Sequence, residues 1–393
     1  MEDESIGERI AYWRKRRGLT QQVLSGHIGR SVPWLSRIER SDRTVERMAD
    51  LLALANVLKV DPGTLIGGIE LPPNGGGPLD PPRGIIAVRR ALMAVRLPDR
   101  EPLTTAVLRA EVEQARRLRS NGRYEAVATV LPGLIGAARA AATRDTPDAW
   151  SCLAAVYHMA SRLAKTVGEV TLAWIAADRA LSAAQRSGDP LLVAKAARGL
   201  AMALMGLGLI DEAASVCSDG ADAVAPTDAT SLEGWSLWGS LHLTEAVSVA
   251  RLDHSAQAWR LLGDARTAAE RVGPGRNDYW ESFGPANVGA HEVAVAMDSG
   301  DPVKALRLAD RLEVAELPSP TRRARFCVDV ACCQGLRRDD AAAVLQLCEA
   351  EGHAPELVRH SVQARELVRV CLRRERRSRT PWLRGLAERL GVA

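Results

Sequence analysis

The chain has 393 residues, with 47% hydrophobic and 25% charged side chains, and this balance excludes a disordered or low-complexity chain. The length exceeds that of one typical domain, so we expect two or more. The formal net charge of +4 is too small to indicate a polyanionic partner by itself. We expect a cytoplasmic protein with no membrane partner, because no apolar run approaches about 20 residues and the first five residues are acidic rather than basic.

A short helix is predicted after Thr20, near the start of the chain. Thr20 is a suitable N-cap, because its hydroxyl can accept a hydrogen bond from a backbone N–H of the first turn. Gly29 suits the left-handed conformation that commonly ends a helix. One face of this helix is apolar and is predicted to face a core; it consists of Val23, Leu24 and Ile28.

Ser31 predicts the start of a second helix, and Pro33 falls in its first turn, where a missing N–H costs little. Leu35 and Ile38 are predicted to point inward. A short helix held outward with an Arg on its open face is what reading of the DNA major groove requires. We therefore predict a set of DNA-facing residues on or near the outer surface: Ser31, Val32, Pro33, Trp34, Ser36, Arg37 and Arg40.

The segment from about Ile6 to Ile66 resembles the lambda-repressor-like, XRE-type helix-turn-helix family. The resemblance extends from an entry helix through these two helices to a later apolar helix, and its main matches are Ile6–Arg14, Gly18–Gln21, Ser36–Arg40 and Met48–Ala55. It implies five helices, binding to double-stranded DNA, and phosphate contacts by Gln21, Arg40 and Arg43. The sequence departs from the family at Ser25, where Ala is common, and at Ser41, where Gly often ends the recognition helix.

The charge distribution agrees with this interpretation. Between Arg14 and Arg47 there are nine Arg or Lys residues against three Asp or Glu residues. A local basic patch is the relevant electrostatic feature for binding to DNA phosphates. The alternative is that the run Arg14–Arg17 is only a solvated helix end, which the helix dipole favours.

A linker is predicted at residues 71–84, where nine of fourteen residues are Gly or Pro. It would separate a DNA-binding domain at residues 1–70 from a second domain at residues 85–393. The second domain shows no strand signal, and Ala, Leu, Arg and Glu recur in it at helical spacing. We therefore predict an all-α fold for the whole chain.

The second domain contains a repeated pattern that begins at Trp150, Trp235 and Trp280, with a weaker copy near Val193, at intervals of about 42 to 45 residues. Turn residues followed by an acidic or polar cap predict a second helix in each unit, as at Gly208–Ala213. The pattern resembles the first helix of a tetratricopeptide repeat. The resemblance implies an α-solenoid with a concave binding surface, in which the three Trp residues pack repeat helices together.

Polar residues on the neighbouring face of the first helices are the candidate effector contacts: Asp148, Ser151, His158, Glu233, Ser236, Ser240, Asp278 and Glu281. Several are acidic, so a cationic or peptide effector is one interpretation, and an ordinary solvated face is the other. Beyond Arg373 the chain is basic, and Leu383, Leu386 and Leu390 predict a last amphipathic helix. That helix is expected to cap the solenoid, and the alternative is an extra DNA contact.

No catalytic constellation is apparent, so we expect no enzyme activity, no metal site and no cofactor. The sequence His291-Glu292 begins a zinc-protease motif, but Val295 replaces the second His ligand. No phosphate-binding loop occurs. The seven Cys residues form no CxxC pair and are expected to be small buried hydrophobic side chains.

The sequence therefore predicts a transcription regulator that binds an inverted-repeat operator as a homodimer and senses a peptide or small-molecule effector. The alternative is a tetratricopeptide-type protein-interaction module or scaffold that the helix-turn-helix only localises. The preference for Arg over Lys is typical of a GC-rich bacterial genome.

Overall fold

The computed structural model describes residues 5–41, 45, 48–58, 60, 65, 84–95, 103–227, 230–375 and 380–392. Within these ranges the protein has twenty α-helices, two short 3-10 turns and no strand, which confirms the all-α prediction. Contacts between residues divide the chain into two compact units, and the main boundary lies between Leu79 and Asp80. That boundary falls inside the predicted linker, of which residues 71–83 lie outside the described residues.

Four helices form the described part of the N-terminal unit: α1 (Ile6–Arg16), α2 (Gln21–His27), α3 (Val32–Glu39) and α4 (Met48–Leu58). They enclose a small apolar core that contains Ile10, Leu24, Leu35, Ile38, Leu54 and Leu58. Leu65 belongs to the same core, whereas most of the predicted fifth helix lies outside the described residues.

The helix starts follow the local signals in the sequence. The hydroxyl of Thr20 accepts from the backbone N–H of Val23, and the hydroxyl of Ser31 accepts from that of Trp34, so both predicted N-caps are present. Gly29 has a φ of 65°, as predicted for the turn between α2 and α3. Val23, by contrast, is 43% exposed, so the prediction of a three-residue apolar face on α2 was wrong at this position. Its neighbour Leu24 supplies the buried contact instead.

Sixteen helices are described in the C-terminal unit. The first eight are α5 (Ile85–Met93), α6 (Thr105–Ser120), α7 (Tyr124–Ala142), α8 (Pro147–Thr166), α9 (Val170–Ser187), α10 (Pro190–Gly206), α11 (Ile210–Ala223) and α12 (Leu232–Arg251). The others are α13 (Ser255–Val272), α14 (Pro285–Asp298), α15 (Pro302–Ala309), α16 (Pro320–Leu336), α17 (Asp340–His353), α18 (Pro355–His360), α19 (Val362–Arg373) and α20 (Leu383–Leu390).

The helices of this unit pack in chain order as pairs, among them α6 with α7, α8 with α9, α10 with α11, α12 with α13 and α16 with α17. The first helices of successive pairs also contact one another, α6 with α8, α8 with α10 and α10 with α12. Six helices, α7, α9, α11, α13, α15 and α17, each begin two residues after a residue in the left-handed conformation, and these turn residues are Gly122, Gly168, Gly208, Asp253, Gly300 and Arg338. Stacked helix pairs bury a shared core that no single pair could bury.

The pattern at Trp280 does not form a helix, so the prediction of a repeat helix beginning there was wrong. Trp280 lies in a 3-10 turn, Asp278–Trp280, and α14 begins only at Pro285. Tyr279, Trp280 and Ser282 all have positive φ, which an α-helix does not accommodate. Trp150 and Trp235 do lie in helices and pack, partly buried, against apolar clusters.

The two ends of the C-terminal unit meet. Helix α16 contacts α6, the first helix of the first pair, and Leu357 of α18 packs against the core of the first pairs. The Glu356 carboxylate accepts a hydrogen bond from the backbone N–H of Glu125, in the first turn of α7, at 2.8 Å. A carboxylate is favourable there because the N-terminal end of a helix has a positive dipole. The unit is therefore closed by contacts between its first and last pairs.

The last predicted helix is present as α20, and Leu383, Leu386 and Leu390 are buried in an apolar cluster with α16 and α17. Among the described residues, α7 is long and apolar enough, by length and composition, to cross a membrane, which departs from the expectation that no stretch approaches this length. About half of its apolar window is buried inside the protein, where it packs against α6 and α8 as a core helix.

Candidate nucleic-acid interface and the interior of the helical unit

Helix α3 presents one face to the core and the other to solvent. Leu35 and Ile38 are fully buried, as predicted. Four of the predicted DNA-facing residues after the N-cap are exposed, and they are Val32, Pro33, Arg37 and Arg40. Trp34 and Ser36 are half-buried, and Trp34 packs against the edge of the core. The exposed face is thus a row of apolar and basic side chains on a rigidly supported helix.

Arg37 lies in the middle of this exposed face. Within the part of the chain that the structure describes, its guanidinium has no hydrogen-bond or ion-pair partner. An Arg that protein groups do not engage can present its two-pronged donor set to guanine O6 and N7. Arg43, the other predicted phosphate contact beyond α3, lies outside the described residues.

Glu39, at the end of α3, joins the first three helices. Its carboxylate accepts from Arg14 Nε at 2.6 Å and Nη2 at 2.8 Å, and from Gln21 Nε2 at 2.8 Å. These hydrogen bonds raise the pKa of Arg14, so this guanidinium stays charged. The amide of Gln21, a predicted phosphate contact, is therefore held against Glu39 at the start of α2. Glu39 was not among the predicted site residues, and its only signal was that it is one of three acidic residues in a basic segment.

A second ion pair links the turn before α3 to α4. Arg30 binds Asp50 at 2.9 Å, and its guanidinium also lies 5.8 Å from the centre of the Trp34 ring. The pair thus holds the Arg30 guanidinium beside the Trp34 ring. Together with Glu39, it sets the orientation of α3 on the core by charge-assisted hydrogen bonds.

The predicted effector residues of the C-terminal unit fall into several separate environments. Asp148 is exposed and pairs with Arg109 at 3.1 Å, and Ser151 is half-buried. Glu233 and Asp278 both bind Arg276 at 2.8 Å. These contacts are those of ordinary surface ion pairs.

The remaining predicted effector residues lie inside the unit. Glu281 is buried and forms an ion pair with Arg198. His158 is half-buried, and the protein around it, with nearby Lys195 and Arg162, lowers its pKa well below the usual value. The hydroxyls of Ser236 and Ser240 are buried and, within the described structure, have no hydrogen-bond partner. The buried members of the predicted effector face are thus next to basic side chains. The sequence had instead predicted a polar face with several acidic residues.

An open cleft of 690 Å³ lies on α7, α8 and α9. Trp150 donates from Nε1 to Asp145 at 2.8 Å, and the Arg186 guanidinium lies 3.7 Å from the centre of the Trp150 ring. Arg139 and Arg179 complete the basic lining. Apart from Trp150, no pattern in the sequence indicated this cleft.

One group of side chains can hold a cation, although the sequence predicted no metal site. The ligand atoms of Cys327, Glu349 and His353 lie within 4.8 Å of one another. Burial raises the pKa of the Cys327 thiol to about 12, so it is protonated unless a cation binds. Among the described residues the seven Cys form no disulfide, and five of them are buried as expected; Cys332 and Cys348 are half-buried.

The comparisons with known proteins bear on the N-terminal unit. A family model described as a helix-turn-helix domain matches residues 5–65. No curated protein matches the chain. One similar solved structure is BtubC (BKLC) from P. vanneervenii, with 17% identity and a TM-score of 0.36, over 63% of this chain and 89% of that chain. The protein therefore has an N-terminal helix-turn-helix domain, the class of domain found in DNA-binding regulators, followed by an all-helical unit.

Proposed function

We propose that this protein is a sequence-specific transcription regulator of the XRE type. The observation that supports this most directly is the geometry of α3, which exposes an Arg37 that is unpaired among the described residues while Leu35 and Ile38 anchor the helix in the core. The proposed base-reading face comprises Val32, Pro33, Arg37 and the edge of Trp34. The proposed phosphate contacts are Gln21, Arg40 and Arg43.

The C-terminal unit is proposed to be a tetratricopeptide-like sensor that has no enzyme activity. Its paired helices, with first helices in mutual contact, support this assignment. One recognition helix reads only a few base pairs, so two copies are expected to bind an inverted repeat with half-sites about 34 Å apart. The proposed dimer forms through residues after Gly84. An effector acts by binding one arrangement of the DNA-binding units more tightly than another. Such a regulator acts in the cytoplasm of a bacterium.

The decisive experiment is selection of bound DNA from a random pool with the purified full-length protein. We expect enrichment of an inverted repeat whose affinity falls with salt. Recovery of no preferred sequence, with a stable protein partner instead, would favour a scaffold. The same selection with Arg37→Ala reports whether α3 is the reading element.

A further inference from the structure

An interior basic cluster lies in the C-terminal unit and is defined by side chains whose charges act on one another: Arg119, Arg162, Lys165, Lys195, Arg198 and Arg322. These residues come from α6, α8, α10 and α16, which are first helices of their pairs. Those helices contact one another, α6 with α8, α8 with α10, and α16 with α6. The closing contact between the first and last pairs thus brings basic residues more than 200 positions apart in sequence towards one interior.

The cluster has few negative groups to balance it. Glu281 pairs with Arg198, and its backbone carbonyl accepts from Arg322 Nη2 at 3.0 Å. Lys195 donates only to a neutral group, the carbonyl of Tyr279, at 2.5 Å.

Three members of the cluster form no ion pair with an acidic residue in the part of the chain that the structure describes. In the described structure no carboxylate forms an ion pair with Arg119, Arg162 or Lys165. Arg162 donates to Met202 Sδ at 2.8 Å, and a thioether is a weak acceptor. The interior basic cluster therefore places six basic side chains, four of them Arg, around the one carboxylate of Glu281.

Such an arrangement is costly in the absence of a ligand. Desolvation and neighbouring cations lower the pKa of Arg162 to about 9 and that of Arg322 to about 10. Buried charges without a counter-ion reduce stability, and proteins commonly retain such costs at functional sites. Arg119, Arg162 and Arg322 are half-buried rather than fully buried, so the cluster is not sealed from solvent.

Two buried neutral polar groups lie near the cluster: Ser240 contacts Arg198, and Asn287 is one helical turn from His291, on which the charges of Arg322 and Arg198 act. Asn287, on α14, is 2% exposed, and both of its side-chain polar atoms have no partner within the described structure. Ser240 is equally buried, its hydroxyl has no partner, and its carbonyl accepts from Arg198 Nε at 2.9 Å. Buried polar atoms normally have hydrogen-bond partners. The unpartnered amide and hydroxyl therefore indicate a missing ligand whose atoms form hydrogen bonds with them.

We propose that the interior basic cluster binds a small anion with two or more negative charges, of the phosphoryl or carboxylate class, and that this anion is the effector. Arg forks match both oxyanion types, and two charges or more are required to balance the excess of cations. The effector role rests on the proposed function as a DNA-binding regulator. A small anion with two or more negative charges is thus the class of ligand that the C-terminal unit recognises.

Calorimetric titration and thermal unfolding of the full-length protein test this proposal. The probes are inorganic pyrophosphate for phosphoryl groups and citrate for carboxylates, with acetate at matched ionic strength as the singly charged control. We expect pyrophosphate or citrate, but not acetate, to bind and to raise the melting temperature. Which of the two binds identifies the class.

The variants are Arg119→Gln and Arg162→Gln, from different helices, and each is expected to weaken anion binding at least tenfold. Arg117→Gln is the matched control, because Arg117 lies on α6 with a 71% exposed side chain. In anion-free buffer Arg162→Gln should raise the melting temperature, since it relieves repulsion. Polyanion binding no stronger than that of acetate, or binding unaffected by both variants, would overturn the proposal.

DNA binding is measured in parallel, with and without the anion. If DNA is bound and a bound anion leaves its affinity unchanged, the effector role is wrong. If the anion binds and no DNA is bound under any condition, the anion site stands and the proposed regulator function fails.

Discussion

Arg37 lies on the exposed face of α3, between the two core residues Leu35 and Ile38. Truncation at this position removes the proposed guanine contact without touching the core. We expect Arg37→Ala to weaken binding to the selected operator by about 1–3 kcal/mol and to relax preference at one base position. Competition binding to operator variants measures both effects. An unchanged preference at every position would assign base reading to another residue.

Gly7 is required where α1 crosses α3. A Cβ at this position would lie 1.8 Å from the backbone oxygen of Ile38, which no rotamer change can relieve. We expect Gly7→Ala to destabilise the N-terminal unit by roughly 1–3 kcal/mol or more, through overpacking. Hydrogen exchange at the backbone amides of α1 and α3 measures this change, because it reports on the N-terminal unit separately.

The matched control is Gly26→Ala, in α2. Gly26 is exposed, and a Cβ there meets no atom within 4 Å. Because Ala is the better helix former by roughly 1 kcal/mol, this variant should be neutral or stabilising. Equal losses in the two variants would contradict the close approach of α1 to α3.

Lys195 makes the stability of the C-terminal unit depend on pH. Burial and nearby arginines lower its pKa to about 7 in the folded protein, against 10.5 as the reference value. Because the folded pKa is depressed, the unfolded chain binds more protons between these values. The free energy of unfolding should therefore rise with pH from about 7 towards 10, and the cost is fully present below pH 7.

Lys195→Met removes this contribution. Below pH 7 the variant should have a larger free energy of unfolding than the wild type. This difference should decrease as pH rises above 7, by roughly 1 kcal/mol per pH unit. Denaturant titrations at several pH values measure the difference. Lys15→Met, at an exposed position of α1, is the control and should differ from the wild type by a constant amount. A difference for Lys195→Met that does not change with pH would show that the ammonium is not desolvated.

At the scale of elements, the turns between paired helices use the left-handed conformation at a fixed position. Gly122 and Gly208 have φ values of 74° and 79°, but their surroundings differ. A Cβ on Gly208 meets nothing within 4 Å, whereas one on Gly122 lies 3.0 Å from the Cβ of Ala354. Substitution of Gly208 therefore tests backbone strain alone. Substitution of Gly122 tests that strain together with the contact that closes the unit.

We expect Gly208→Ala to cost about 1–2 kcal/mol from backbone strain alone. Gly122→Ala should cost more, because the segment between α17 and α18 must shift away from α7. Calorimetric unfolding of both variants measures the two losses. A loss for Gly122→Ala no larger than that for Gly208→Ala would indicate that the first and last pairs do not pack closely in solution.

Local signals account for the part of the structure that sequence could predict. Thr20, Ser31 and Gly29 act through atoms within a few residues, so their roles follow from the sequence alone. Glu39 pairs with Arg14 across 25 positions, and no periodicity indicates such a pair. The interior basic cluster depends on the closing of the whole unit. The spacing of His158, Arg162 and Lys165 on one helix face was its only local trace.

At Trp280 the sequence matches the repeat pattern, but the segment does not form the helix that the pattern predicts. Gly273, Gly275 and Gly284 surround it, and all three have positive φ. The chain there turns instead of starting a helix, and this turn carries Glu281 into contact with Arg198. Motif spacing alone could not distinguish a helix from a turn that supplies a buried carboxylate.

For the whole molecule, the proposed regulator requires two copies. We expect the full-length protein to be a homodimer at micromolar concentration, because an inverted-repeat operator presents two equivalent half-sites. Light scattering coupled to size exclusion measures the mass, against 42.3 kDa for one chain. A monomer that remains monomeric on the selected DNA would remove dimerisation from the proposed function.

The contact between Glu356 and the first turn of α7 has a consequence for how this architecture can change over generations. An open stack of helix pairs can gain or lose a pair at little cost, since each pair touches only its neighbours. Here the last pairs must meet the first, as Leu357 and α16 do. Insertion or deletion of a helix pair would displace the last pairs from their contacts with the first. Duplication of a helix pair within this unit is therefore constrained. The number of helix pairs should therefore stay constant among descendants of this protein while individual helices diverge.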